Sequence, residues 1–227
     1  MDYLFGDFIF SSGSFDYEKY WEVVPEIFSQ RVSYSKLRLL ESFISPGSSV
    51  LELGCGDGTI LAHIKKYRNA EVFGIDISEQ ALRLASRKGI YTQRADITSD
   101  DFEIVKRFDY IILSEVLEHL PKPESLFLKL HGKFSRYVIV TIPNTGYIGE
   151  RMRMLLGRFP KQWVVHPSEH LRFWTVSDFC FWCTQLGFRV TSYYGVPDDY
   201  YDTAIKLWKH YPRLFARQVL YIVKEKI

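Results

Sequence analysis

The stretch Val50-Leu51-Glu52-Leu53-Gly54-Cys55-Gly56-Asp57-Gly58-Thr59 decides the architecture of this chain. Ser49 to Leu53 is a short apolar strand, three glycines in five residues follow, and Thr59 to Tyr67 carries Ile60, Leu61 and Ile64 at helical spacing. A strand passing through a glycine-rich turn into a helix lets the backbone approach a ligand and aims a helix N-terminus at it. The dinucleotide fingerprint Gly-x-Gly-x-x-Gly would need glycine at position 59, which is Thr; the third glycine comes one residue early, at Gly58. Glu52 stands two residues before the first glycine, a poor neighbour for a pyrophosphate. It suits a ligand with a cationic centre and an amino-acid end. A nicotinamide-dependent oxidoreductase is disfavoured on the glycine spacing.

Strands and helices alternate outward from this turn. Glu71 to Asp76 is the second strand, and Ser78 caps a helix over Glu79 to Lys88. Ile90 to Ala95, Phe108 to Leu113 and Tyr137 to Ile142 are the third, fourth and fifth strands, the last apolar enough to be buried on both faces. Gly187 stops a helix over Val176 to Leu186, and Phe188 to Tyr194 and Arg217 to Val223 close the series. No helix follows the seventh strand, so it is free to enter the sheet antiparallel. The pattern predicts one α/β domain with a doubly wound, Rossmann-like sheet. Residues 1–34 read as an N-terminal cap and about 145–170 as an insertion.

Composition narrows the classes. Of 227 residues, 47% are apolar and 25% charged, which excludes a disordered or fibrous chain. The 29 basic and 27 acidic side chains leave +2, too little for a general nucleic-acid surface. Cys55, Cys180 and Cys183 give no disulfide framework, and no second pair completes a zinc site with Cys180-x-x-Cys183; the pair reads as packing in an amphipathic helix. The chain opens Met1-Asp2-Tyr3 with no apolar run, so neither a signal peptide nor a membrane span is expected, and the location expected is cytoplasmic. The 17 Phe, 15 Tyr and 5 Trp are conspicuous; many fall in the N-terminal segment and in 147–211, which reads as the wall of a pocket.

Three acids end three successive strands. Asp76, 22 residues past Gly54, is placed to accept from ribose hydroxyls, and Asp96, after Arg94-Ala95, to meet an adenine amine. With Gly74-Ile75-Asp76-Ile77, Ala95-Asp96-Ile97, Phe108-Asp109-Tyr110-Ile111-Ile112 and Leu117-Glu118-His119-Leu120, the chain over about residues 35 to 225 resembles the class I S-adenosylmethionine-dependent methyltransferases. The resemblance implies strand order 3-2-1-4-5-7-6 with the seventh strand antiparallel. It implies that Glu52, Gly54, Cys55, Gly56 and Gly58 cradle the methionyl part of S-adenosylmethionine. Asp76 and Ile77 would bind the ribose, Asp96 and Ile97 the adenine, and Ser114 would line the same site.

The acceptor side lies beyond the fourth and fifth strands. Ser114-Glu115-Val116 replaces the Asn-Pro-Pro-Tyr type of loop of enzymes that methylate base amines, so a nucleobase nitrogen is disfavoured. On a helix, Glu115, Glu118 and His119 would share one face. His119 with Glu118 could then act as the catalytic base, or Glu115, Glu118, His119 and the distant His170 could ligate Mg²⁺ or Mn²⁺. The run resembles that of metal-dependent O-methyltransferases of ubiquinone biosynthesis and of small-RNA 2′-O-methylation, but Leu-Glu-His-Leu also occurs in metal-free members. Tyr17, Arg151, His166 and His170 are candidate acceptor contacts, Arg151 lying in a basic, aromatic insertion suited to a lid over an anionic small molecule. Tyr193, Tyr194, Tyr200, Tyr201 and Trp208 would wall the pocket or cover the sheet edge. The run Phe15 to Trp21 would close the cofactor side. The reading is O-methylation of a small hydroxyl compound. The rivals are a cofactor-binding accessory protein resembling MetW and an RNA 2′-O-methyltransferase. Monomer and dimer are both open.

Overall fold

One sheet of seven strands carries the molecule in the computed structural model, which describes residues 32–162, 169–197 and 206–226, together with Phe10–Ser11, Ser14–Phe15, Glu18 and Trp21. The strands are β1 (Ser49–Leu53), β2 (Glu71–Asp76), β3 (Tyr91–Arg94), β4 (Phe108–Ser114), β5 (Phe134–Pro143), β6 (Phe188–Gly195) and β7 (Gln218–Glu225). Their spatial order is 3-2-1-4-5-7-6. The first five run parallel, and β7 pairs antiparallel with both β5 and β6. The expected topology holds in full.

Side chains alternate across the sheet, so each strand feeds two cores. On one face Leu51, Leu53, Ile111, Leu113, Val138 and Val140 pack under α4 (Pro123–Leu128) and α6 (Val176–Gln185). On the other, Val50, Tyr110, Ile112 and Ile139 pack under α1 (Tyr34–Ser42) and α2 (Thr59–Arg68). The helix α3 (Glu79–Arg87) is capped by the Ser78 hydroxyl, as its sequence predicts. In the insertion, α5 (Ile148–Leu155) buries none of its residues. Two short helices, α7 (Leu207–His210) and α8 (Pro212–Phe215), lead into β7.

One expectation changes here. Residues 115–119 do not form a helix: Glu115 has left-handed φ of 56°, and only Leu117–His119 make a single 3₁₀ turn. Part of the aromatic content is core, while Phe159, Phe181, Tyr194 and Tyr211 are exposed. Trp174, Phe179, Phe188 and Tyr221 are buried and Trp182, Tyr193 and Trp208 pack against them, because β6 and β7 at the sheet's edge need one face covered. Tyr194 packs instead on Phe43 of the α1 side. Cys183 lies within the same core and Cys180 half-buried beside it, both free, with burial raising both thiols. Tyr200 and Tyr201 lie outside the described residues. Between β1 and β4 the strand order reverses, and in open α/β sheets the ligand cleft lies at such a point, outside the carboxyl ends of the strands.

Candidate functional site

The glycine turn is built by its own backbone. Gly54 and Cys55 both donate their N–H groups to the Ile75 carbonyl, at 2.8 and 3.0 Å, which pins the turn to β2. Gly54 and Gly56 take φ of 70° and 52°, a region that penalises any Cβ. A Cβ at Gly56 would come within 2.8 Å of the Trp21 ring, and one at Gly54 within 2.7 Å of Val116. Trp21 therefore lies over the turn. Glu18, from the same segment, caps α3 by accepting from the Ser78 hydroxyl at 2.9 Å and the Glu79 N–H at 2.8 Å. Tyr17, just before Glu18, lies outside the described residues.

Asp76 joins turn to helix: Oδ2 accepts from Gly56 N–H at 2.8 Å and Oδ1 from Ser78 N–H at 2.9 Å. Burial raises its carboxyl above the usual range against the pull of these donors. Ile77 is exposed at the mouth. Asp96 sits two residues past β3, exposed, with its carboxylate turned onto the N–H and hydroxyl of Thr98 at 2.8 and 2.6 Å. Ile97 packs against the core. Cys55 is buried, and its thiol is raised by burial first and then by Glu52 and Asp76. Glu52 is buried with one oxygen lacking a partner, and burial drives its carboxyl well up.

Across the cleft, β4 ends at Ser114, whose hydroxyl bonds to that of Thr141 at 3.0 Å. The left-handed turn at Glu115 directs its carboxylate to the Thr141 hydroxyl at 3.1 Å. Glu118 is 1% exposed and neither oxygen finds a donor. Burial, and then the negative charge of Glu115, hold its carboxyl well above the usual range. The segment carrying His170 docks on Glu118 through Leu171 and Arg172 N–H groups, which donate to the Glu118 carbonyl at 2.7 and 3.1 Å. His119 Nδ1 donates to the Glu169 carbonyl at 2.6 Å, which leaves Nε2 with the free lone pair. The His119 and His170 rings meet edge to face with centroids 4.7 Å apart. Burial lowers both, His170 to about 3 with His119 adding to the effect.

One donor atom from each of Glu118, His119 and His170 lies within 4.8 Å of the others. The sequence-predicted group thus assembles in space, without the helix. Glu115 adjoins it but faces Thr141 and Lys36. Arg151 is spent in part on its own turn, Nε donating to the Gly146 carbonyl at 2.7 Å, and His166 lies outside the described residues. Lys36 is the residue that sequence reasoning missed. It enters the cleft from α1, 3.8 Å from Glu115, and no motif around it announces a role. Among the described residues, no helix is long and apolar enough to cross a membrane.

The comparisons with known proteins agree with this geometry. A ubiquinone biosynthesis O-methyltransferase of Pseudomonas syringae pv. tomato is 36% identical over 91 residues, 37% of this chain and 39% of that one. An N-methyltransferase 4 of Papaver somniferum is 35% identical over 94 residues, 38% of this chain and 26% of that one. The chain thus spans about two fifths or less of the length of these curated relatives. A solved S-adenosylmethionine-dependent methyltransferase from Thermotoga maritima superposes with a TM-score of 0.66 at 15% identity, over 93% of this chain and 98% of that one. The fold is therefore that of the class I S-adenosylmethionine-dependent methyltransferases. Residues 35–223 match the family model of methionine biosynthesis protein MetW, and to that family this chain belongs.

Proposed function

We propose that the chain transfers the methyl group of S-adenosylmethionine to a hydroxyl oxygen of a small, anion-bearing molecule. The observation that carries this reading is the Glu118–His119–His170 cluster, set at the end of β4 beside the glycine turn. Glu52, Gly54, Cys55, Gly56 and Gly58 would receive the methionyl part, Asp76 and Ile77 the ribose, Asp96 and Ile97 the adenine, with Ser114 at the methyl end. Residues 145–170 would form the lid, with Tyr17, Arg151, His166 and His170 toward the acceptor and residues 1–34 capping the cofactor. In the transfer, oxygen attacks the methyl carbon in line, the carbon–sulfur bond breaks with its electron pair going to sulfur, and the hydroxyl proton passes to a base. His119 suits that base: it is neutral at pH 7, its ring is fixed by the Glu169 carbonyl, and Nε2 is free to accept.

In place of a free base at His119, the same residues fit a divalent cation. A buried carboxylate without a donor and a buried His170 Nδ1 without a partner are the donor set that Mg²⁺ or Mn²⁺ takes. Glu118, His119 and His170, with Glu115 adjoining, would hold it. Bound there, it would supply Lewis-acid polarisation of the acceptor oxygen.

The test is release of S-adenosylhomocysteine across phenolic, sugar and lipid-quinone hydroxyl acceptors, with enzyme stripped by chelator and then resupplied with Mg²⁺ or Mn²⁺. His119→Ala should lower turnover by about 10² to 10⁴-fold while cofactor binding persists. Full activity in that variant overturns the role of His119, and turnover indifferent to metal overturns the cation. A second reading draws on the family match: a cofactor-binding accessory protein that works through a partner enzyme. Cofactor binding with no turnover on any acceptor would favour it.

A further inference from the structure

The exposed apolar side chains of this chain are not evenly spread. Five of them, Met152, Met154, Leu155, Leu156 and Phe159, fall close together at the end of α5 and in the turn after it. Leu155, Leu156 and Phe159 are 77%, 74% and 68% exposed. Elsewhere among the described residues the large exposed apolar side chains stand mostly apart, which is ordinary for a folded surface. A contiguous patch is not ordinary, and it marks a surface that something else covers.

The patch is held outward by the polar side of its own helix. At helical spacing Ile148, Met152, Leu155 and Leu156 share one face, with Glu150 and Arg153 opposite. Those two pair at 3.6 Å. Glu150 accepts from the Lys161 N–H at 2.9 Å, and the Arg153 guanidinium donates to the Phe159 carbonyl at 3.2 Å. The polar face thus binds the returning chain, and the apolar face is left to solvent. Charge is gathered here too. Residues 145–162 carry Arg151, Arg153, Arg158 and Lys161 against the single acid Glu150, while the whole chain nets only +2. The positive excess of the molecule therefore surrounds its exposed apolar patch.

Charge decides between occupants. A second copy of the chain would set basic side chains against basic side chains across the contact, which is repulsive. Leu, Met and Phe on an outer face with arginines at its rim suit an anionic bilayer, the apolar groups among acyl chains and the cations at the headgroups. We propose that α5 and the turn after it, from Met152 to Phe159, dock this chain peripherally on a membrane surface that bears anionic phospholipids. The helix lies on such a surface and does not cross it: α5 has 8 residues, far fewer than a span needs. The proposal needs only the patch and its charge and is independent of which acceptor is methylated.

Flotation of the full chain with vesicles tests it, using phosphatidylcholine alone and phosphatidylcholine mixed in equal parts with phosphatidylglycerol. The wild-type protein should float with the mixed vesicles and not with phosphatidylcholine alone, and high salt should release much of it. The double variant Met152→Ser/Leu156→Ser should bind mixed vesicles about 10-fold or more weakly, because two side chains no longer leave water. Arg158→Glu keeps the whole apolar patch and should weaken binding by about 10- to 30-fold, the effect of reversing one charge at anionic headgroups. All these positions are exposed, so urea midpoints should match the wild type. The proposal falls if the wild type ignores mixed vesicles, if it binds both kinds alike, or if either variant floats as the wild type does. It falls as well if the double variant lowers the sedimentation coefficient of the lipid-free protein, since a second copy would then be what covers the patch.

Discussion

The two sides of the cleft differ in how their polar groups are satisfied. On the glycine side the contacts close on themselves: Gly54 and Cys55 on Ile75, Gly56 and Ser78 on Asp76, Glu18 on the start of α3. On the β4 side, both oxygens of Glu118 and Nδ1 of His170 are buried without partners. Glu52, at the border, shares that condition with one oxygen. The first side is shaped before any ligand arrives. The second keeps an electrostatic cost that only a ligand, an ion or a proton relieves, the pattern expected where stability is given up for chemistry.

Breaking the satisfied side should have the larger effect. Asp76→Ala removes the acceptor of two backbone N–H groups and frees the turn from α3. Affinity for S-adenosylhomocysteine should fall by about 100-fold or more, each charge-assisted bond counting for about 1.5–3 kcal/mol. Calorimetry would show it, and Asp76→Asn, which keeps one carbonyl acceptor, should lie between. Equal affinity in Asp76→Ala would mean that the turn is held without Asp76, and the contrast between the two sides would lose its basis.

The unsatisfied side should show itself next, as pH dependence. Glu118 has its folded-state pKa raised, so above the unfolded carboxyl value of about 4.3 the native state holds a proton that the unfolded chain has released. Stability then falls as pH rises, by up to about 1.4 kcal/mol per unit for this one group. Glu118→Gln should lessen that slope above about pH 4.3, leaving the parts due to Glu52 and Asp76. His170 has the opposite sign. Its pKa drops from 6.5 to about 3 on folding, so below pH 6.5 the unfolded chain takes the proton first and stability falls with falling pH. At pH 5 that amounts to about 2 kcal/mol, which His170→Gln should remove. Urea denaturation across pH measures both, and a slope that Glu118→Gln leaves unchanged would show that the carboxyl is solvated after all.

The same contrast governs how far the sequence could be read. The glycine side was legible because its geometry is local. The ends of β1 and β2 and the Ser78 cap are signalled by neighbours within a few residues, and β1 and β2 keep the bounds expected, while the turn so announced is held by Ile75 and Asp76 about 20 residues on. The β4 side gathers its residues over distance. Glu118, His119 and His170 were named from residue type and spacing, yet the helix invoked to join them is absent. What joins them is the docking of Leu171 and Arg172 on the Glu118 carbonyl, a contact spanning over 50 residues. Lys36 left no trace in any motif because its place beside Glu115 depends only on where α1 packs. The aromatics of β6 left two readings open for a related reason: composition does not say which face of an edge strand needs cover, and Tyr193 and Trp208 pack against the core there.

The smallest expected effect tests whether the lid belongs to the unsatisfied side. The helix α5 buries no residue, and Leu155 and Leu156 are 77% and 74% exposed, so neither contributes packing to the fold as it stands. Leu155→Ser should shift stability by no more than about 0.5 kcal/mol, the ordinary range for an exposed position. Affinity for S-adenosylhomocysteine should not move, because the glycine turn is held by Ile75 and Asp76 and Leu155 is exposed. A lid that closes on an acceptor would bury Leu155 only in the complex, so the change should raise KM for the acceptor by about tenfold, the worth of one side chain moved from water. Cofactor affinity would stay the same. The segment is tied to the His170 region by Phe159, whose ring meets that of Phe173 edge to face at 5.0 Å. An unchanged KM for the acceptor would detach α5 from the acceptor side and confine the open half of the cleft to Glu118, His119 and His170.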